Sequence, residues 1–302
     1  MKTLHKKAIS AAAVALLSGL ACSSAFAADT PTNPEDAGSP IAANITVVND
    51  YRYRGMTQSN YKPAIQGGFD YAHESGFYIG NWNSSISWIS DGYQASSSRP
   101  NAPSAPIEMD FYAGFKKELI GEGFASDVGV LQYYYPMSNA PANACGGAGA
   151  NGAARNGCGA NPNTTELYLA QNFTFGPLTG FAKVSYSLSN IFGINNSSGS
   201  VYPDLTLNYD TGVWGLALNG HVGYQYVSNT QTLNGTNYNF SYTDWKLGVT
   251  KDFGGGLSGN VSYVGTTNPS AGGSYLWYVP ASNGTTKSAG QGGGLISLTK
   301  TF

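Results

Sequence analysis

From about Asn44 to Phe302 the chain alternates apolar and polar residues in segments of about ten to fifteen, and the connections between segments alternate short with long. Successive side chains of a strand point to opposite faces, so strict alternation reads as strands with one face in oil and one in water. The short connections are Ser75-Gly76, Gly176-Pro177, Thr211-Gly212 and Gly254 to Gly256. The long ones are rich in Gly, Ser and Asn: Ser90 to Pro106, Met137 to Asn163 and Asn268 to Gly290. Tight turns at one end and wide loops at the other are the mark of a transmembrane β-barrel. In hydrocarbon every backbone N–H and C=O needs a partner, and a closed barrel supplies one without any helix.

The alternation predicts twelve strands: 44–54, 63–74, 77–90, 107–118, 123–135, 165–175, 178–189, 201–210, 213–228, 238–253, 257–267 and 293–302. Twelve is even, as single-chain bacterial barrels require. With the amino end in the periplasm, all short turns fall on the periplasmic side. The fold class predicted is therefore all-β, a transmembrane antiparallel up-and-down barrel. In strand one Ile45, Val47, Tyr51 and Tyr53 share one face, and Thr46, Asp50, Arg52 and Arg54 the other. In strand three Tyr78, Trp82, Ile86 and Trp88 form the apolar face opposite Asn81, Asn83, Ser85 and Ser87. Strand five is ambiguous in facing. A soluble β-sandwich also alternates. Against it stand the regular alternation of loop lengths and the many Tyr and Trp near strand ends on the apolar face, where a lipid interface would hold them.

The ends divide the chain. Residues 1–27 read as a secretory signal: Lys2, Lys6 and Lys7, an apolar run from Ala8 to Leu20, then Ala25-Phe26-Ala27 as the cleavage site. That run is too short to span a bilayer. A lipoprotein cut before Cys22 is the lesser alternative, because Gly19 stands where an aliphatic residue is usual. Residues 28–43 read as a polar, Pro-rich periplasmic lead, and 44–302 as the barrel. The chain closes on LISLTKTF; a terminal Phe302 after alternating apolar residues fits the signal that outer-membrane barrels present to the barrel-assembly machinery.

Charge sharpens this picture. Export takes three of the 15 basic residues and none of the 17 acidic ones, leaving a net charge near −5. That argues against nucleic acid as a partner. Only 11% of residues are charged, far below the quarter usual in soluble domains. Cys145 and Cys158 lie in one long loop and, in an oxidising compartment, pair as a disulfide.

Tyr51 to Ser59 reads YRYRGMTQS, and Pro63 to Trp88 reads PAIQGGFDYAHESGFYIGNWNSSISW. With Asp50, Arg54, Gly55, Gln58, Gln66 and Gly67, this stretch resembles the opening strands of the TorF family of porin-like proteins. IEMDFYAGF and the Ser/Thr-rich closing strand extend the resemblance. It implies a pore and supplies no substrate and no catalytic residue.

Charge facing lipid costs a few kcal/mol at mid-bilayer, so the charged positions are expected inside. The expected lumen holds nine acids, Asp50, Asp70, Glu108, Asp110, Asp127, Glu166, Asp204, Asp210 and Asp244, and five bases, Arg52, Arg54, Lys116, Lys183 and Lys246. Asp50, Arg52 and Arg54 are the candidates for a constriction. Two readings stand: a modestly acidic channel for small hydrophilic solutes, polar or cationic, or a lumen plugged by its own ion pairs in a non-conducting surface barrel. Catalysis is not expected. His73 and His221 lack the neighbours that an outer-membrane lipase needs, and the glycine runs lack a P-loop lysine. No cofactor or metal is expected; the expected partners are outer-membrane lipid, the assembly machinery and small solutes, in a Gram-negative outer membrane.

Overall fold

The computed structural model describes residues 40–94, 104–138, 161–233, 236–271, 274–283 and 285–302. The segment expected to be the signal, most of the lead, and Cys145 with Cys158 lie outside the described residues. Twelve strands form the wall: β1 (Ile41–Val48), β2 (Ala64–Ala72), β3 (Phe77–Ser85), β4 (Ile107–Gly121), β5 (Phe124–Tyr134), β6 (Thr164–Phe175), β7 (Leu178–Ser187), β8 (Val201–Asp210), β9 (Leu216–Gln225), β10 (Tyr242–Gly254), β11 (Leu257–Thr266) and β12 (Gly293–Thr301). They follow one another around a closed antiparallel barrel, and β1 seals against β12. Closure leaves no strand edge unpaired.

The periodicity of two puts the apolar side chains on the outside. Ile45, Ile65, Phe69, Phe111, Leu169, Leu247, Val261 and Ile296 are all exposed on the outer wall, while Thr46, Gln66, Glu108, Asp110, Glu166, Ser185, Asp244 and Thr299 face inward and are buried. This is a soluble protein turned inside out, as lipid demands. The short connections turn on glycine where the backbone requires it. Gly76 sits at φ 97°, and a Cβ there would stand 2.5 Å from the Lys116 carbonyl oxygen. β5, ambiguous in sequence, points Asp127, Leu131 and Tyr133 inward and Val128 and Val130 outward.

Five expectations are corrected. β1 starts at Ile41 and ends at Val48 rather than running to Arg54. Tyr51, expected on the outer face, is 1% exposed inside the barrel. β3 faces the other way: Tyr78 and Trp82 point inward and Ile79 outward. The reason is that Tyr78 has lumen partners, donating to Asp127 at 2.6 Å and bonding Tyr168, while on the wall Asn83 donates to Asn81 at 2.6 Å and Asn81 to the Asp110 carbonyl at 3.0 Å. β3 also ends at Ser85, and Trp88–Gln94 forms a short helix, α1; at its start the Ser87 carbonyl accepts from the Asp91 N–H at 2.8 Å, and Trp88 is buried. Asp210 is exposed, its carboxylate accepting from the Gly212 amide at 2.8 Å in a turn, so it is not a lumen acid.

Two apolar clusters fill the wide-loop end of the barrel. One gathers Tyr51, Trp82, Trp88, Tyr133 and Tyr135, the other Met56, Ile191, Phe240, Tyr242 and Trp277. Of the aromatic residues read as a lipid girdle, Tyr51, Tyr78, Trp82 and Trp88 thus serve as an interior core, while Tyr209, Trp214, Tyr224 and Trp245 stay exposed on the outer wall. Between the two clusters runs the segment that follows β1.

Candidate functional site

The wall is left at Asn49. Its backbone N–H still donates to the Ile296 carbonyl of β12 at 3.1 Å. Its side-chain amide then replaces the next rung of the ladder, accepting from the Ile296 N–H at 2.8 Å and donating to the Gly294 carbonyl at 3.1 Å. With β12 satisfied by a side chain, the backbone is free to turn inward. Arg52 and Tyr53 pair with Thr57 and Met56 in a miniature hairpin. Its two tip residues, Arg54 at φ 44° and Gly55 at φ 75°, are both left-handed, as a two-residue hairpin turn requires. The tip presses on the wall: a Cβ on Gly55 would lie 2.8 Å from the Asp244 Cβ of β10.

Asp50 and Arg52 hold the hairpin to itself. They form a buried ion pair, and the Asp50 carboxylate also accepts from Thr57 at 2.6 Å and Ser59 at 3.2 Å. Arg52 donates to the carbonyls of Gly55 at 2.9 Å and Gln291 at 3.0 Å. Thr57 N–H donates to the Ala289 carbonyl at 2.8 Å, tying the returning strand to the approach to β12.

Arg54 holds the hairpin to the far wall. Its guanidinium donates to Glu166 of β6 at 2.7 Å and to Gln225 of β9 at 2.5 Å. The Tyr202 ring of β8 lies 4.1 Å from the guanidinium carbon, and the Tyr53 ring 4.9 Å. Tyr53 donates to Tyr133 at 2.6 Å, and the Tyr133 hydroxyl lies 3.4 Å from the same Glu166 oxygen. Burial opposes the Arg54 charge most, but Glu166 together with Tyr53 and Tyr133 outweighs it and holds the guanidinium pKa above its ordinary value.

The other expected residues line the wall around this centre. Glu108 accepts from the hydroxyls of Tyr51 and, at 2.7 Å, Tyr135. Asp70 accepts from Tyr112. Asp204 lies 3.5 Å from Lys183, and Asp244 accepts from Tyr202 at 2.9 Å and lies 2.9 Å from His221. Lys246 is buried on β10, and Lys116 stands opposite Asp127 in the β4–β5 register. Asp110 is buried beside Glu108 on β4 with neither oxygen hydrogen-bonded among the described residues.

A family model described as "Bacterial protein of unknown function (Gcw_chp)" matches residues 32–302. The chain belongs to the Gcw_chp family. No curated protein matches it. Among solved structures it is similar to the NanC porin in its rhombohedral crystal form, at 8% identity and a TM-score of 0.48, over 86% of this chain and 98% of that one. It is also similar to the KdgM porin in complex with disordered oligogalacturonate, at 7% identity and a TM-score of 0.45, over 87% of this chain and 98% of that one. OccAB1 of Acinetobacter baumannii is similar at 12% identity and a TM-score of 0.43, over 82% of this chain and 60% of that one. These are likenesses of architecture, and no solute follows from them.

In this Gcw_chp barrel the sequence groups Asp50, Arg52 and Arg54 and expects Glu166 only as one of the lumen acids; it does not reveal that Glu166 joins them, nor Tyr202 or Gln225. Their inward parity was legible, since Tyr202 alternates in step with Asp204 and Thr206, and Gln225 with Asn219 and His221. What hid them was chemistry: a tyrosine at a strand end reads as an interface anchor.

Proposed function

We propose that this protein is a porin-like channel of a Gram-negative outer membrane, passing small hydrophilic solutes, seen here with its hairpin in the path. One observation carries the reading: the inner wall is lined with polar and charged side chains from Asn260 and Asn219 toward the short turns up to Glu108 and Glu166 toward the wide loops. Burying so many charges is costly, and a barrel needed only as an anchor gains nothing from them. The resemblance of Tyr51–Ser59 to the TorF family supports a pore. An export signal over 1–27, an aromatic carboxy terminus at Phe302 for the assembly machinery and a Cys145–Cys158 disulfide fit the same location. Channel chemistry of this kind needs no catalytic group.

A second reading has its own support. The hairpin is stiffened by one buried ion pair, Asp50–Arg52, and fastened to the wall by another, Arg54–Glu166, as a permanent plug would be. Single-channel recording in planar bilayers separates the two. The refolded protein is expected to conduct weakly, and a variant with residues 52–57 replaced by a short Gly-Ser turn to conduct strongly. Silence from both would leave the non-conducting surface barrel. Liposome swelling with sugars, amino acids and salts then ranks the solutes.

A further inference from the structure

Arg52 and Arg54 are two residues apart, but they are held by different things. Apart from Gln291, the hydrogen-bond partners of Arg52 lie within its own segment: Asp50 and the Gly55 carbonyl. Both hydrogen-bond partners of Arg54 belong to the wall, Glu166 and Gln225, and so does the nearer of its aromatic faces, Tyr202. Were the hairpin withdrawn, the barrel would keep a carboxylate, an amide oxygen and a tyrosine ring converging on one point. That set is what a guanidinium recognises: a charged acceptor, a second acceptor in its plane and a π face above it. Tyr133 would remain beside Glu166. A small cavity lies beside this point. Tyr53 and Gln225 border a cavity of about 20 Å³ under the wide loops, roughly the room of one water.

We propose that Glu166, Gln225 and Tyr202 form a recognition site for a guanidinium group, which Arg54 occupies as an intramolecular stand-in, so that solutes carrying a guanidinium compete with the hairpin tip. Binding at this site holds whether or not the barrel conducts; only the consequence for passage rests on the channel reading above. A planar cation with in-plane donors engages both acceptors, whereas sodium offers charge alone. The site therefore names a solute class, alkylguanidinium and arginine-like molecules, and ties its arrival to release of the hairpin.

The test is chemical rescue of the full-length refolded protein in detergent. In Arg54→Ala the site is vacant, and ethylguanidinium chloride at millimolar concentration is expected to raise the urea midpoint in proportion to the logarithm of its concentration. Sodium chloride of equal ionic strength should not do so, and neither the wild type nor the Arg54→Ala/Glu166→Gln double variant should respond. A response of Arg54→Ala to sodium as large as to ethylguanidinium, or an equal response in the double variant, overturns the site. Should Arg54→Ala fail to fold, Met56→Cys in the otherwise native chain reads the same competition. Met56 is buried behind the hairpin tip, and free arginine is expected to speed its labelling by a maleimide. A labelling rate indifferent to arginine overturns the competition.

Discussion

At the scale of single residues, the buried charges sort into those whose loss is local and those whose loss is shared. Removing Arg54 leaves Glu166 buried, with the distant Tyr133 hydroxyl as its remaining donor among the described residues. Truncating one member of a buried pair costs about 3–5 kcal/mol, most of it from the charge left behind. Arg54→Ala is therefore expected to lower stability by that order in urea unfolding, and adding Glu166→Gln to recover part of the loss. If the double variant is as unstable as the sum of both single changes, the two side chains do not act as a pair. The charged members of this site were legible in sequence, because charge cannot face lipid. The cage around Arg54 was not, because nothing in the period of two says which inward side chains from β6, β8 and β9 meet at one height.

At the scale of the element, alternation misled at the end of β1 for a physical reason. Residues 49–54 continue the apolar-polar rhythm of β1, and a hairpin packed between two apolar clusters needs the same rhythm as a strand packed against lipid. The break is announced by Asn49, a residue that copies a peptide group with its side chain, and by Arg54-Gly55, which turns left-handed. The seam is the element that depends on it. β1 and β12 share five register pairs, Asn44 to Val48 against Thr301 to Ser297, and Asn49 extends that ladder at its outer rim. Asn49→Ala strands the Ile296 N–H and the Gly294 carbonyl at a cost of about 1–3 kcal/mol. The expected result is faster hydrogen exchange at Ile296 with little change on β4 or β5. Uniform acceleration around the barrel would show that the seam is not locally clamped. β3 failed in facing for a related cause. Its aromatic side chains were assigned to lipid, but Trp82 packs edge-on against Tyr51 of the inward segment at 5.5 Å.

At the scale of the whole molecule, strand number, turn ends and closure were all readable, since each follows from one requirement: every backbone group paired in oil. The outer wall carries the test. Leu247, 63% exposed on β10, faces where lipid tails would lie. Leu247→Arg is expected to destabilise the folded barrel in lipid by about 2–4 kcal/mol if the site lies near the midplane, measured by the urea at which its heat-modifiable gel band is lost. An inward change of similar size, such as Ser185→Thr, should leave that band in place. The hairpin adds an order of events. It is made early, directly after β1, but its anchors at Ala289 and Gln291 and the wall against its tip at Asp244 belong to the last sixty or so residues. The chain thus writes its latch first and its keyhole last. A half-translocated polypeptide has nowhere to fasten that latch, so protection of Arg52 and Arg54 from trypsin should arrive as the closing event of biogenesis, a built-in timestamp on a finished barrel.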